Sequence, residues 1–305
     1  MRVIKPITVS DSNLTSSSIP EPDASVGEIT WTAGTYNLGD QRILTTTHKV
    51  YEVVADPSTS DDPETGVAAN PQTWIEVGST NRYRMFDNKN STQSTDELTL
   101  TTTIVPATLT NSIAGFNITG AETINVTVNN GVSDIYDRDI DMLDNSARVN
   151  WYEFFFSPIV AITRFILLDL PPIIGNDVIV TCTGGGTISF GNLVVGESLA
   201  LGTTVYGTSV QGLDFSVREP DGFGGFNIVR RRTADLMDYD CFIDTVKMPY
   251  VKNQLKSLSQ KETVWIGNDD DINDGTATFG YYNNYQINLS GPQVSDMTIQ
   301  VQELI

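Results

Sequence analysis

The chain has 305 residues and a formal net charge of −20 at neutral pH, from 18 basic and 38 acidic residues. Its 39% hydrophobic content excludes a wholly disordered chain. The strong negative charge argues against binding to nucleic acid or to anionic membranes, because a negative surface is repelled by phosphate groups.

The first 24 residues are rich in Ser, Pro and Asp, which is typical of an extended arm that becomes ordered only against a partner. Apolar side chains recur within this arm at Val3, Ile4, Ile7 and Val9. Such a segment can add a strand to the exposed sheet edge of a neighbouring protein. We therefore predict that residues 1–24 dock to a partner through these four side chains.

Residues 25–87 are predicted to form a small β module with an aromatic frame, which consists of Trp31, Tyr36, Tyr51 and Trp74. A module of this size buries little apolar surface, so large aromatic side chains are expected to supply much of its core. The alternative is that the four rings form a flat platform on which sugar rings stack, since apolar sites with a few polar groups bind small ligands.

Residues 88–95 are polar and predict a linker. Apolar residues then alternate with polar ones over short runs, which predicts strands at 98–100, 124–128, 178–182, 285–289 and 299–304. We expect a central antiparallel β-sandwich at 96–220 and a small β-rich unit at 221–305 with one short helix near 249–260. Whether the last unit is a separate domain is left open. The glycine run at 184–186 is predicted to be a hairpin turn or a bulge.

A basic triplet, Arg230, Arg231 and Arg232, stands out in this acidic chain. One interpretation is local charge compensation. The other is a basic anchor that pairs with an acidic surface of a neighbouring subunit.

Catalytic signatures are weak. His48 is the only histidine, and Cys182 and Cys241 lie in apolar, strand-like contexts that are typical of core residues. We therefore expect no enzyme, no cofactor and no metal centre. A minor alternative is structural calcium at 268–275, where oxygen ligands are spaced as in a calcium loop but its glycine and its final glutamate are replaced.

The chain has no apolar stretch of about 18 residues, and its start lacks the pattern of a signal peptide. We expect no membrane insertion and no standard secretion.

Several motifs, taken in order, carry a resemblance to known proteins. The aromatic frame resembles the small chitin- or cellulose-binding modules of bacterial polysaccharide-degrading enzymes. Together with the segment 81–87, which reads Asn-Arg-Tyr-Arg-Met-Phe-Asp, the frame also resembles a module of tail proteins from tailed bacteriophages. Further segments are similar to the same phage proteins, namely 1–9, 150–158, 169–172, 199–207 and 264–267.

This resemblance implies a jelly-roll (galactose-binding-like) middle domain and a structural role in the phage tail, as an appendage, a collar or a peripheral component of the baseplate or tip. Expected partners are other virion proteins and, because tails are symmetric, further copies of the chain. The resemblance also implies synthesis in the host bacterial cytoplasm and a final location in the virion.

The alternative is a receptor-binding protein that recognises a host surface glycan, and a polysaccharide-degrading enzyme is a third hypothesis. One departure weighs against sugar binding. Sugar-binding modules carry exposed aromatic residues soon after the strand that contains Tyr51, whereas this chain reads Ala-Asp-Pro-Ser at 55–58.

Overall fold

The structure is a computed structural model that describes residues 1–144, 151–156, 160–220, 225–268 and 275–304. It is mainly β, as predicted, with one large antiparallel sheet, a few small sheets and short helices. Among the described residues, no helix is long and apolar enough to span a membrane.

The small aromatic module folds around a three-stranded sheet in the order β4-β5-β7, with β3 paired to β6 beside it. Asp62 caps the short helix α1 by accepting a hydrogen bond from the backbone of Thr65. The elements of this part of the chain, including the two strands that precede the module, are β1 (Arg2–Pro6), β2 (Leu14–Ser17), a 3-10 turn (Ala24–Val26), β3 (Tyr36–Asn37), β4 (Gln41–Leu44), β5 (Lys49–Val53), β6 (Ser58–Thr59), α1 (Pro63–Ala68), β7 (Trp74–Ser79) and a second 3-10 turn (Arg84–Phe86).

The central part is a β-sandwich, compatible with a jelly-roll-like fold, and the alternating runs at 98–100, 124–128 and 178–182 are strands as predicted. Its elements are β8 (Ser94–Ile104), β9 (Ser112–Thr119), β10 (Thr123–Asn129), β11 (Asp134–Asp141), β12 (Leu143–Asp144), α2 (Trp151–Phe156), β13 (Val160–Ala161), β14 (Phe165–Leu167) and β15 (Asp177–Ala200).

Strand β15 organises the sandwich because it pairs with a different set of strands along each half. Its first half lies between β10 and β8, and its second half pairs first with β8 and β9 and then with β1. The two halves meet at a bulge, where the register with β8 shifts between Thr183 and Thr187. Gly184 permits this bend, since a Cβ there would lie 2.1 Å from the carbonyl oxygen of Gly120. The predicted glycine bulge is therefore confirmed.

The C-terminal unit packs helix α3 against one face of the sheet formed by β1, β21, β22, β23 and β20. The predicted helix near 249–260 and the strands near 285–289 and 299–304 are confirmed. The elements are β16 (Thr203–Thr204), β17 (Ser209–Asp214), β18 (Val217–Pro220), β19 (Phe226–Val229), β20 (Thr233–Asp244), a 3-10 turn (Thr245–Lys247), α3 (Met248–Ser257), β21 (Thr263–Ile266), β22 (Ala277–Asn288) and β23 (Val294–Glu303).

The structure overturns the prediction of an N-terminal docking arm. Strand β1 pairs with β15 on one side and β21 on the other, so it is an interior strand of the chain's own sheet. Val3 and Ile4 are fully buried, one on each face, and Ile7 and Val9 pack against the sandwich core. These four side chains therefore pack inside the molecule. Both edges of β1 are already hydrogen-bonded to strands of the same chain, so β1 has no free edge for a neighbouring protein.

The predicted domain boundaries also differ from the structure. Strands β16 and β17 pair with β20, so a boundary at 220/221 divides a hairpin of the C-terminal unit. The C-terminal unit is joined to the sandwich through β1 in one continuous sheet. The predicted linker at 88–95 is held to the sandwich, since Asn117 donates to the carbonyl of Asn90 at 2.6 Å and Asn192 donates to that of Lys89 at 3.4 Å.

Candidate docking surfaces

A long β-hairpin extends from one edge of the large sheet. Strands β17 and β20 pair first, and β18 and β19 continue the same hairpin beyond them. Phe215 and Ser216 bridge the two ladders, since the Phe215 amide donates to the carbonyl of Arg232 at 3.3 Å and the Arg231 amide donates to Oγ of Ser216 at 3.0 Å. We call the described residues of this part, 215–220 and 225–232, the hairpin tip.

The hairpin tip projects past the rest of the sheet. The neighbouring strand β23 pairs with β20 only from Leu236 onward. Three apolar side chains of the tip are largely exposed: Phe226 at 70%, Ile228 at 55% and Val229 at 56%. An exposed group of large apolar side chains on one small element is unusual for an isolated protein and indicates an interaction surface.

The basic triplet lies directly beside these apolar residues. Arg230, Arg231 and Arg232 are all exposed. None of the three guanidinium groups forms an ion pair with a residue in the described ranges. The interpretation as local charge compensation is therefore not supported by direct pairing, and the three arginines remain accessible to a partner.

At the base of the hairpin, Arg231 and Arg232 line a shallow groove of about 420 Å³ together with Asn90 and Glu303. Burial raises the pKa of Glu303, whose carboxylate accepts a hydrogen bond from the backbone of Asp235 at 2.9 Å. The groove thus combines two cations with a partly desolvated carboxylate, which makes it a polar rim beside the apolar tip.

A second exposed apolar feature is helix α2. Its four described side chains are Trp151, Tyr152, Phe155 and Phe156, with exposed fractions of 79%, 72%, 69% and 72%. Trp151 stacks on Phe155 and Tyr152 packs beside Phe156, with ring centroids 6.2 and 4.9 Å apart. These pairs are one helical turn apart, so two aromatic columns form on the helix surface. The segments on either side, 145–150 and 157–159, lie outside the described part.

The opposite end of the large sheet is acidic. Within the described ranges, strand β11 is hydrogen-bonded to β10 alone. Asp137, Asp139 and Asp141 alternate along one exposed face of β11, together with Ile135, which is 43% exposed. We call β11 the acidic edge.

The other face of the acidic edge is held to the sandwich. Arg138 pairs with Asp169 at 2.8 Å, and the hydroxyl of Tyr136 donates to the same carboxylate at 2.9 Å. Burial raises the pKa of Tyr136 to about 12, so this hydroxyl remains a donor at neutral pH. The aspartates on the outer face are therefore displayed on a strand whose inner face is anchored.

The aromatic frame is mainly a core. Tyr36, Tyr51 and Trp74 are buried, and Trp31 is partly buried against them. The ring of Tyr36 meets that of Trp74 edge to face at 5.5 Å, and Trp74 Nε1 donates to the carbonyl of Asp61 at 3.0 Å. The alternative of a sugar platform is thus wrong for Tyr36, Tyr51 and Trp74, because all three rings are at most 6% exposed and cannot be reached by a ligand.

His48 lies where the aromatic module contacts the segment that precedes it. Its ring stacks on Tyr83 with centroids 3.8 Å apart, while Nδ1 contacts the Glu21 carboxylate at 3.0 Å and Nε2 contacts that of Asp11 at 3.2 Å. Both ring nitrogens are therefore occupied, and the ring connects the module to the preceding segment.

The segment 81–87, which carries part of the phage resemblance, also lies at a junction. Asn81 is fully buried and donates to the carboxylate of Asp23 at 2.6 Å and to the carbonyl of Thr95 at 2.8 Å. Tyr83 and Met85 belong to the sandwich core. This motif therefore fastens the module to the sandwich.

The arginine triplet was visible in the sequence, whereas the exposure of its apolar neighbours was not predicted. The signal was present, since Phe226, Ile228 and Val229 directly precede the triplet and follow a glycine-rich segment. Three aspartates at every second position likewise indicate one exposed strand face.

Comparisons with known proteins found no match: no protein-family model fits the chain, and neither the curated proteins nor the solved structures include a significantly similar one. Among the residues that the structure describes, no group of three or more His, Cys, Asp or Glu side chains is arranged to hold a metal ion. The calcium-loop candidate falls largely on residues 269–274, outside the described ranges. The hairpin tip, helix α2 and the acidic edge are therefore the candidate functional surfaces.

Proposed function

We propose that this protein is a structural, non-enzymatic component of a bacteriophage tail, which docks to other virion proteins through the hairpin tip. The observation that carries the proposal is the exposure of Phe226, Ile228 and Val229 next to three exposed arginines that form no ion pair within the described residues. Aromatic residues and arginine are the types most enriched at the centres of protein interfaces.

Charge also supports a protein partner. The hairpin tip carries four of the chain's 18 basic residues and one of its 38 acidic ones. A locally basic element on a chain with a net charge of −20 attracts an acidic protein surface and fixes the orientation of the encounter. The ordered motifs that resemble phage tail proteins supply the class of assembly.

A complementation experiment tests this function. A phage that lacks the gene is supplied with the wild-type chain or with a variant that carries Arg230→Glu, Arg231→Glu and Arg232→Glu. Copies per purified particle are then counted by quantitative mass spectrometry. We expect the wild-type chain in particles and the variant strongly depleted from them, because the three introduced glutamates would be repelled by the acidic surface of the partner.

A matched control separates docking from net charge. Lys252→Glu, Lys256→Glu and Lys261→Glu make the same change in charge at exposed positions in and just after α3. This control is expected to enter particles normally. A wild-type chain that stays in the lysate and is absent from particles contradicts the proposed function.

The second candidate function is recognition of a host surface glycan. The four exposed aromatic side chains of α2 favour it, because an exposed aromatic face can stack on a sugar ring. In this case Trp151→Ser with Tyr152→Ser abolishes competition with phage adsorption by the purified protein, while incorporation into particles is retained. Equal competition by variant and wild type contradicts this candidate.

A further inference from the structure

We infer that the hairpin tip docks on the acidic edge of a second copy of this chain, so that copies associate head to tail. This inference rests on the proposed docking function and names its partner. It follows from the positions, the charges and the exposed apolar side chains of these two surfaces, which lie at opposite ends of the large sheet.

The two surfaces lie at opposite ends of the large sheet. The acidic edge is the end strand β11, and the hairpin tip, whose strands β18 and β19 form a separate two-stranded sheet, continues the hairpin attached at the other end. The sheet runs from β11 through β10, β15, β1, β21, β22 and β23 to β20, and the hairpin strand β17 lies on the far side of β20. Strand β11 pairs only with β10, and β17 only with β20, within the described residues. Each end thus leaves a row of backbone donors and acceptors open to another strand.

The two ends are complementary in charge. The acidic edge contains four aspartates and one arginine in eight residues, and that arginine is already paired with Asp169. The hairpin tip contains four arginines and one acidic residue. Two copies of any single end repel each other, whereas unlike ends attract, so the charge pattern selects the head-to-tail arrangement.

Apolar contacts are available at the same place. Ile135 is exposed on the face that carries Asp137 and Asp139, and Phe226 and Ile228 are exposed beside the arginine triplet. Residues on one face of a strand repeat about every 7 Å, which lets several arginines meet successive aspartates along β11. Docking would desolvate the apolar side chains in the middle and leave the ion pairs around them.

The symmetry of the assembly follows from this geometry. The two contacting surfaces differ, so the interface is heterologous and each copy retains one free end after pairing. Repeating the contact closes a ring if the rotation between copies is a simple fraction of a turn, and otherwise gives a linear filament. A closed ring is the arrangement that suits a tail component built around a central axis.

The test uses the full chain and measures its mass by sedimentation and light scattering over a range of concentration and salt. The wild-type chain is expected to associate in low salt and to dissociate as salt is raised, because screening weakens the ion pairs. Arg230→Glu, Arg231→Glu and Arg232→Glu together should weaken association about 100-fold or more. Asp137→Lys, Asp139→Lys and Asp141→Lys together should do the same.

Charge rescue makes the test specific. A variant that carries all six substitutions restores opposite charges at the contact and is expected to associate again. An equimolar mixture of the two triple variants should also associate, since the unaltered aspartates of one meet the unaltered arginines of the other. The lysine variant of α3 described above is the control and should behave as the wild type. Thermal unfolding verifies that each variant folds.

Three results would overturn the inference. They are a wild-type chain that stays monomeric at the highest attainable concentration in low salt, triple variants that associate as the wild type does, and a six-substitution variant that associates no better than either triple variant. If the wild-type chain is monomeric but the arginine variant is still lost from particles, the docking function stands and its partner is another virion protein. If the wild-type chain associates but is absent from particles, the proposed function fails by itself.

Discussion

Val3 in β1 lies opposite Trp265 in β21, and both side chains are fully buried. The two residues are far apart in the sequence, yet their pairing places the start of the chain in the middle of the largest sheet. The neighbouring residue Ile4 points to the other face of the sheet and is also fully buried. Strand β1 therefore joins the sandwich to the C-terminal unit. We expect substitutions of its buried residues to lower the stability of the protein.

Ile4→Ala should destabilise the protein by about 2–5 kcal/mol, because it removes buried methyl groups and leaves a cavity. Lys5→Ala is the matched control, since Lys5 is adjacent and exposed, and surface substitutions usually change stability by less than about 0.5 kcal/mol. Denaturant unfolding followed by tryptophan fluorescence measures both variants. An Ile4→Ala variant as stable as the control would show that β1 is not an essential part of the core.

In the aromatic module, Trp74→Ala should lower the free energy of unfolding by about 3–5 kcal/mol, since the ring is fully buried. Gly66 packs so closely that a Cβ there would lie 2.3 Å from Trp74 Cδ1, so the ring fills its site tightly. The control is Ile75→Ala on the next residue of β7, which is 37% exposed. A small decrease in the free energy of unfolding of Trp74→Ala, together with loss of glycan binding, would instead support a sugar-binding role for this ring.

Local patterns in the sequence predicted the strands of the sandwich well. The run at 124–128 alternates in the sequence and alternates between core and surface in β10. Such periodicity is a local property, because successive side chains of a strand point to opposite faces. The helix near 249–260 was predicted from another local periodicity, the recurrence of Val251, Leu255 and Leu258 at i, i+4 and i+7, and it is observed as α3.

Long-range pairing was not predictable in the same way. The segment 1–6 is only six residues long, and nothing in its composition distinguishes an interior strand from a docking arm. Its partners Leu199 and Trp265 are encoded elsewhere in the chain. For the candidate site, the arginine triplet was evident, but the exposure of Phe226 and Ile228 depends on where β23 ends. Exposure of an apolar residue is a tertiary property that the sequence pattern does not carry.

Tyr83→Phe should raise the pKa of Asp11 toward its ordinary value of 3.8, because the hydroxyl of Tyr83 donates to this carboxylate at 2.6 Å and holds its pKa down. A lowered pKa stabilises the fold above the pKa of the unfolded state, about 3.9, and this contribution disappears as the pH falls through the lower folded value. The variant should therefore lose less stability than the wild type on acidification to that range.

Carbon-detected NMR titration of the Asp11 carboxyl measures this shift directly. Tyr36→Phe is the control, since the hydroxyl of Tyr36 bonds to Thr32 instead. An unchanged titration of Asp11 in Tyr83→Phe would show that the hydrogen bond does not set this pKa.

Neither cysteine should react with a thiol reagent in the native protein near pH 8. Cys182 and Cys241 are both buried, and burial raises their pKa values to about 12 and about 11, so the reactive thiolate is almost absent. Two equivalents should react after denaturation. Ser259→Cys places a thiol at an exposed position after α3 and is expected to react rapidly under native conditions. Rapid native labelling of Cys241 would instead show that β20, which carries the hairpin, opens readily, and docking through a rigid hairpin would then have to be abandoned.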